Sequence, residues 1–193
     1  MRSPGFRTVS ILSTLAVGIL AAIGGCSDPI LLPANFENRV DTLTLWAANG
    51  TPVAKPSAYL ISQRSAVRLD QVTYFDFIFD ITPEGEYVLV PLAALASTGR
   101  TSGNPGLLPT QTEFGAITIA EQTGYITADT VRIRVSDVLY ARSQPAPSCI
   151  LGIPHYAKLQ VLAQNDSARS VQVQVLSNIN CGYRGLEPGL PER

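Results

Sequence analysis

The segment that most constrains the fold of this 193-residue chain is residues 73–81, TYFDFIFDI. Its side chains fall into two alternating sets, because successive residues of a β-strand point to opposite faces of a sheet. The wholly apolar set is Phe75, Phe77, Phe79 and Ile81. The other set is Tyr74, Asp76, Ile78 and Asp80. A repeat of two residues with one apolar face predicts a strand that packs one side against a core.

Similar short segments, separated by turn signals, make up most of the remaining chain. Residues 40–47 are rich in β-branched and aromatic side chains and stop at Asn49-Gly50, a strong turn signal. After a turn at residues 83–85, residues 87–90 are predicted to form a hairpin with the 73–81 strand. Further strands are predicted at residues 58–61, 66–69, 114–121, 130–135, 137–142, 155–164 and 170–176. No segment shows a helical period, and residues 92–96 have room for one helical turn at most.

About nine or ten short strands with turns between them predict an all-β fold, either an antiparallel β-sandwich or a partly open barrel. An immunoglobulin domain places a buried Trp between its two cysteines. Trp46 precedes both Cys149 and Cys181, which argues against that assignment. Residues 97–112 are rich in Gly, Pro, Ser and Thr and are predicted to form a long loop, a common location for binding residues.

The N-terminus has the features of an export signal. Arg2 and Arg7 precede an apolar stretch, and the small residues Gly24 and Gly25 follow it. The apolar stretch covers residues 9–23, about 15 residues, which is short of the ~20 that a helix needs to cross the hydrocarbon of a bilayer. A cleaved signal is therefore favoured over a transmembrane anchor.

The run Ile23-Gly24-Gly25-Cys26 resembles the lipobox of bacterial lipoproteins, and the resemblance covers about the first 27 residues. In that family the cysteine thiol receives a diacylglyceryl group and the signal is removed, which would make Cys26 the first residue of the mature chain. Several acyl chains hold a protein at a bilayer far more firmly than one. The alternative is ordinary secretion, in which Cys26 only happens to end the signal.

The resemblance also bears on where the protein is sorted. In enteric bacteria an Asp directly after the lipidated cysteine tends to retain a lipoprotein at the inner membrane. Here Ser27 has that position, and Asp28 comes one place later. The resemblance therefore favours the outer membrane, on its periplasmic face or at the cell surface.

Composition narrows the function classes. Removal of residues 1–25 takes away two of the 14 basic residues and none of the 15 acidic ones, which leaves a formal net charge of −3 on 168 residues. A chain of that length suits one domain with a sizeable core. The mildly acidic balance argues against nucleic acid as a partner and provides no polybasic patch for anionic lipid.

Cys149 and Cys181 are predicted to form a disulfide, because an exported chain with two further cysteines usually pairs them. They are 32 residues apart and flank the strands predicted at 155–164 and 170–176, so the bond would staple the open end of a hairpin. The alternative is a pair of metal ligands. That alternative needs two more ligands nearby, and His155 is the only histidine, so no metal or cofactor is expected.

The chain is predicted to contain four regions. Residues 1–25 form the cleaved signal and residues 26–37 a tether that contains two prolines. Residues 38–185 form the single β-sandwich domain, and residues 186–193 form an extended C-terminal tail. The mature domain resembles no named family.

No constellation of residues points to catalysis. Asp76 and Asp80 lie about 13 Å apart on one strand face at ~3.3 Å per residue, beyond the range of paired glycosidase carboxylates. Both are expected to face solvent. A calcium site at Asp80, Glu84 and Glu86 would lack the usual loop spacing. His155 is the only imidazole base, but there is no G-x-S-x-G elbow, so a surface or strand-edge position is expected.

The leading functional hypothesis is a lipid-anchored, non-enzymatic protein that contacts another envelope protein or serves as an accessory subunit of a membrane-associated complex. The second is a ligand-binding lipoprotein for a glycan or another small molecule, using the 97–112 loop and exposed tyrosines. The tyrosines in question are Tyr59, Tyr74, Tyr125, Tyr140, Tyr156 and Tyr183. The third is a hydrolase that uses His155 with a carboxylate.

Overall fold

The computed structural model describes residues 33–95, 105–146, 148–149 and 152–191. The predicted signal, Cys26 with its lipobox and residues 97–104 of the predicted loop lie outside the described residues. None of the helices in the described ranges is long and apolar enough to cross a membrane.

Ten strands form two five-stranded antiparallel sheets packed as a sandwich, which confirms the predicted fold class. The strands are β1 Val40–Trp46, β2 Ala58–Leu60, β3 Ser65–Val67, β4 Phe77–Ile81, β5 Tyr87–Pro91, β6 Gly106–Thr110, β7 Val131–Arg132, β8 Val138–Pro145, β9 Pro154–Asn165 and β10 Ser170–Asn178. Sheet I has the order β1-β10-β9-β8-β6, and sheet II has the order β3-β2-β4-β5-β7. Helix α1 is the single turn Leu92–Leu95, and two 3-10 turns cover Ile61–Gln63 and Phe114–Ala116.

The main core lies between the two sheets and uses the period-two pattern of the sequence. Phe77 and Phe79 of β4 project into it from sheet II, and Leu159 and Val161 of β9 project from sheet I. The Phe77 ring stacks on Tyr59 with a centroid distance of 5.6 Å. Burial of each large apolar side chain of this kind stabilises a fold by about 1.5–3 kcal/mol. The alternation therefore predicted the core-facing Phe77 and Phe79. It was wrong for Phe75, which precedes β4 and packs with Ile78 and Val88 in a separate apolar cluster.

Both predicted hairpins are present. β4 and β5 pair antiparallel from Phe77 opposite Pro91 to Ile81 opposite Tyr87. β9 and β10 pair antiparallel along nearly their whole length, with Asn178 opposite Tyr156 at the open end. We call this end of the sandwich the cystine end, because Cys149 and Cys181 lie there, and the opposite end the turn end.

Three predicted boundaries are wrong. Residues 106–110 of the predicted loop form the edge strand β6, where Pro109 is tolerated because an edge strand has one unpaired side. The predicted strand 114–121 is a 3-10 turn followed by irregular chain, whose carbonyl groups at Phe114 and Ile117 accept hydrogen bonds from Lys158 instead of a strand. The predicted strand 130–135 is reduced to the two residues of β7.

The described ends of the chain lie against each other on the sandwich. Asn38 and Gly189 exchange two backbone hydrogen bonds of 2.7 and 2.9 Å. Leu186 is fully buried in a small apolar cluster on the outer face of sheet I. Residues 186–191 are therefore attached to the domain, beside Asn38.

Candidate functional site

The disulfide joins Cys149 to Cys181 with a Cα–Cα distance of 5.4 Å. Cys149 precedes β9 and Cys181 follows β10, so the bond closes the open end of this hairpin as predicted. Cys149 is buried, whereas Cys181 is half-buried. The staple therefore has one sulfur in the interior and one that solvent reaches in part.

His155 lies directly against the disulfide. Its Nε2 atom is 3.3 Å from Cys149 Sγ, and its side chain is only 2% exposed. The expected surface position is wrong, because His155 continues the inward-facing row of β9 that includes Ala157 and Leu159. Counting back by two from those apolar residues would have predicted its burial. Burial, with a smaller contribution from the charge of Arg64, lowers the pKa of His155 to about 4.

A serine, a histidine and an aspartate come close together here, but they do not form a catalytic triad. The Ser143 hydroxyl accepts a hydrogen bond from the backbone N–H of His155 (2.9 Å) and donates one to the Gln144 carbonyl (2.5 Å). The imidazole Nδ1 has no hydrogen-bond partner among the described residues. A triad needs its base bonded to both the nucleophile and the orienting carboxylate. Ser143 and His155 therefore meet through backbone, without a proton relay.

Asp76 is the buried carboxylate of this end and is 1% exposed. One carboxylate oxygen accepts the backbone N–H of Ile61 at 2.7 Å. The other accepts the N–H of Gln144 at 3.3 Å and the hydroxyl of Tyr74. These bonds connect β4 of sheet II with a 3-10 turn and with β8 of sheet I. Burial raises the pKa of Asp76 to about 6, against the opposing effect of the hydrogen bonds.

The expectation that Asp76 faces solvent is therefore wrong. The alternation assigned Asp76 to the face opposite Phe77, but its bonds to Ile61 of the main core and to Gln144 of sheet I place the carboxylate between the two sheets. The period of two fails just before β4 begins at Phe77. Only Asp80, at the other end of β4, keeps partial solvent contact, and it accepts the N–H of Asn49 at 3.1 Å. A covering segment from elsewhere in the chain leaves no sign in a local pattern.

Arg64 completes the cystine end. Its backbone is left-handed, with φ 53°, where the 3-10 turn ends. Its Nη1 donates to the Glu37 carbonyl at 2.9 Å, whereas Nε and Nη2 are buried without a partner among the described residues. Burial lowers the pKa of Arg64, with the nearby charge of Arg39 as a second cause. A partly desolvated positive charge thus lies close enough to influence His155.

A second candidate site is a polar cleft of about 630 Å³ on the outer face of sheet I, which we call the glutamine cleft. Gln160 and Gln174 lie side by side on its floor, with a 2.6 Å hydrogen bond between their amides. The remaining lining residues come from the ends of β6 and β8 and the segments beside them: Thr110, Gln111, Thr112, Glu113, Phe114, Gly115, Ser136, Asp137 and Val138. Amides, hydroxyls and one aromatic ring are the groups that bind hydroxyl-rich ligands.

The position of the tyrosines changes the predicted binding surface. The expected surface of six exposed tyrosines is wrong for Tyr59, Tyr140, Tyr156 and Tyr183, which are buried, whereas Tyr74 and Tyr125 are half-buried. Two residues of the predicted loop, Gln111 and Thr112, do line the glutamine cleft. The sequence therefore predicted part of the cleft. It did not predict Gln160 and Gln174, because these two residues become neighbours only when β9 pairs with β10.

A third feature is a smaller cleft of about 440 Å³ at the turn end. Its lining includes Glu86 and Arg132, which form an ion pair of 2.9 Å, together with Arg134 and Asp137. Both signs of charge face each other across it. The cleft therefore has no excess of positive or negative charge that would attract a ligand of the opposite charge.

Comparisons with family models, with curated proteins and with solved structures find no match to this chain. This agrees with the expectation that the mature domain resembles no named family.

Proposed function

We propose that this protein is a lipid-anchored protein of the bacterial cell envelope, with the lipid on Cys26 and the outer membrane as its favoured location. It acts without catalysis, as an interaction module or accessory subunit of a membrane-associated complex. Its mature domain is the β-sandwich, and its partner is another envelope protein.

The observation that carries this proposal is the way the start of the domain is fixed. The Asn180 side chain accepts the backbone N–H groups of Asn35 (2.8 Å) and Phe36 (3.0 Å) and donates to the Phe36 carbonyl (2.8 Å). Asn180 adjoins Cys181, so the base of the tether and the staple are one hydrogen-bonded unit. Such a joint keeps the domain close to the proposed anchor, since the seven steps from Cys26 to Pro33 span at most about 25 Å.

Exposed apolar side chains near this joint support a role in contacts. Phe36 is 54% exposed and Leu190 is 58% exposed, and the Asn38–Gly189 pair brings their two segments together. Val40, at the start of β1, is also exposed. Apolar side chains that remain in water next to a tether would meet an envelope partner close to the membrane first. A modest intrinsic affinity suffices there, because tethering raises the effective concentration.

The non-catalytic part of the proposal is supported by how the reactive groups are used. Ser143 contacts backbone, Asp76 is committed to three donors, and His155 contacts a disulfide sulfur. Each group therefore already has a structural role within the fold.

The test is cross-linking of the protein in its own membranes, followed by identification of captured partners by mass. We expect Phe36→Ser and Leu190→Ser to reduce capture of a recurrent envelope partner by at least about tenfold if each removes 1.4 kcal/mol of contact energy. Val135→Ser is the matched control, because Val135 is 50% exposed at the turn end. Equal capture by all three variants, or a monomer with no captured partner, refutes the proposal.

Mass analysis of the N-terminus tests the lipid anchor separately. An unmodified Cys26 would refute the proposed anchor.

The glutamine cleft favours a second function, binding of a glycan or another hydroxyl-rich small molecule. We expect soluble oligosaccharides to raise the melting temperature of the protein, and Gln160→Ala to weaken binding about 2–10-fold through loss of one or two hydrogen bonds. Gln172→Ala is the matched control, since Gln172 is an exposed amide on β10 outside the cleft. Unchanged melting across the oligosaccharide panel, or equal effects of the two substitutions, counts against this function.

A further inference from the structure

Three potential metal ligands meet at the cystine end. The two sulfur atoms of Cys149 and Cys181 and a ring nitrogen of His155 all lie within 4.8 Å of one another. We propose that, when the disulfide is reduced, Cys149, Cys181 and His155 form a three-ligand site for a thiophilic divalent cation such as Zn²⁺. The fourth position opens toward solvent beside the half-buried Cys181.

The distances suit this ligand set. Zn–S bonds of ~2.3 Å and Zn–N bonds of ~2.0–2.1 Å in a tetrahedral arrangement separate two sulfurs by ~3.8 Å and a sulfur from a nitrogen by ~3.5 Å. The present separation of His155 Nε2 from Cys149 Sγ is 3.3 Å, so this edge of the tetrahedron is nearly in place. The remaining change is separation of the two sulfurs, which cleavage of their bond permits.

Burial favours the same arrangement. His155 and Cys149 are held in the interior, which fixes two of the three ligands before the cation arrives. The imidazole Nδ1 has no partner in the described part of the chain, so no hydrogen bond fixes the ring proton on the ligating nitrogen.

The redox step is reduction by a dithiol. The dithiol gives two electrons and two protons to the Cys149–Cys181 bond, which becomes two thiols, while the dithiol becomes a disulfide. Cation binding then releases the two thiol protons to solvent, so the complex of M²⁺ with two thiolates and a neutral imidazole carries no net charge. The disulfide and the metal complex are thus alternative states of the same three side chains.

The test is titration of the full-length protein in detergent with Co²⁺, a spectroscopic substitute for Zn²⁺. A Cys26→Ser variant keeps the remaining thiol out of the experiment whether or not Cys26 is lipidated. After reduction by a phosphine, we expect one equivalent of Co²⁺ to bind with a thiolate-to-cobalt charge-transfer band, and the oxidised protein to show none. His155→Ala and the more conservative His155→Gln should each weaken binding by at least about tenfold.

Two controls keep the outcomes distinct. Alkylation of Cys149 and Cys181 must abolish the charge-transfer band, and near-ultraviolet circular dichroism reports whether the reduced chain stays folded. If reduction loosens the fold, Co²⁺ must restore the tertiary signal in the wild type but not in His155→Ala. Absence of binding to the reduced protein, or binding that both His155 variants retain unchanged, overturns the proposal.

Discussion

At the cystine end of the sandwich, Asp76 and His155 are almost completely buried, whereas at the turn end Asp80 is half-buried and Asp166 is exposed. The buried groups connect separate segments: Asp76 alone ties β4 to a 3-10 turn and to β8. The turn-end aspartates also contact distant segments, since Asp80 accepts the N–H of Asn49 and Asp166 accepts the hydroxyl of Tyr87, but they do so in contact with solvent. Similar residue types therefore make buried contacts at one end and solvated contacts at the other.

The difference follows from what each end has to join. The cystine end gathers the open end of the β9–β10 hairpin, residues 35–36 and the Ile61–Gln63 turn, which are far apart in the sequence. Buried hydrogen bonds are directional and costly to leave unmade, so they select one arrangement of these segments. At the turn end, tight turns already fix the chain. Solvent-exposed ion pairs there add little.

The largest effect should come from removal of the staple. We expect Cys149→Ser combined with Cys181→Ser to lower the free energy of unfolding by about 3–4 kcal/mol, because a closed loop of 32 residues restricts the unfolded chain. Urea unfolding of the oxidised wild type and the variant measures this difference. A loss below about 1 kcal/mol would show that the hydrogen bonds around Asn180 and Asp76 already hold the cystine end without the bond.

The next largest effect should come from Asp76→Asn. The amide retains one oxygen but places an NH₂ group against one of the present donors, so at least one buried donor loses its acceptor, at a cost of about 1–3 kcal/mol. Asp80→Asn is the matched control at the other end of the same strand, and we expect it to cost less than about 1 kcal/mol. Urea unfolding at neutral pH compares them. Equal losses would mean that the two ends do not differ in the way described.

These two aspartates also mark what sequence could predict. The alternation of residues 73–81 predicted the core-facing Phe77 and Phe79, because strand geometry alone fixes which side chains share a face. The cysteine count predicted the staple, because a chain with the features of an export signal is expected to pair its two remaining thiols. The pattern could not distinguish Asp76 from Asp80. Where the strand begins and what surrounds Asp76 depend on segments that are distant in sequence, here Ile61 and Gln144.

The same reason explains the unpredicted parts of the candidate sites. The proximity of His155 to both cysteines requires the β9–β10 register, and the floor of the glutamine cleft requires Gln160 to lie opposite Gln174. Pairing partners are fixed by the whole sheet rather than by either strand. Lys158 is a second example of a distant residue that changes a predicted element. Its side chain binds carbonyl groups that a strand at 114–121 would have used for pairing.

The pH dependence of stability should separate the two ends further. The pKa of Asp76 is raised from 3.8 to about 6 by burial. Its contribution to stability is therefore fully present below pH 3.8 and is lost as the pH rises through about 6, because the folded state then has to ionise a buried group. The size is roughly 2–3 kcal/mol for a displacement of this extent. The difference in unfolding free energy between Asp76→Asn and wild type should shift in favour of Asn between pH 4 and 6 and level off above that.

The profile is measured as a difference between the variant and wild type, because the contributions of groups that both chains share cancel. A flat difference for Asp76→Asn would mean that its hydrogen bonds from Ile61, Gln144 and Tyr74 outweigh burial and keep the carboxylate ionised.

The smallest effect should come from the ion pair between Arg132 and Glu86 at the turn end. Their side chains are 73% and 38% exposed, so water screens the 2.9 Å contact and both side chains lose entropy in making it. A double-mutant cycle of Arg132→Ala and Glu86→Ala should give a coupling free energy of about 0.2–1 kcal/mol, which should decrease as the salt concentration rises to about 1 M. A coupling above about 2 kcal/mol that persists in high salt would indicate a desolvated pair. The turn end would then be organised by buried polar contacts as the cystine end is, and the contrast between them would rest on the disulfide alone.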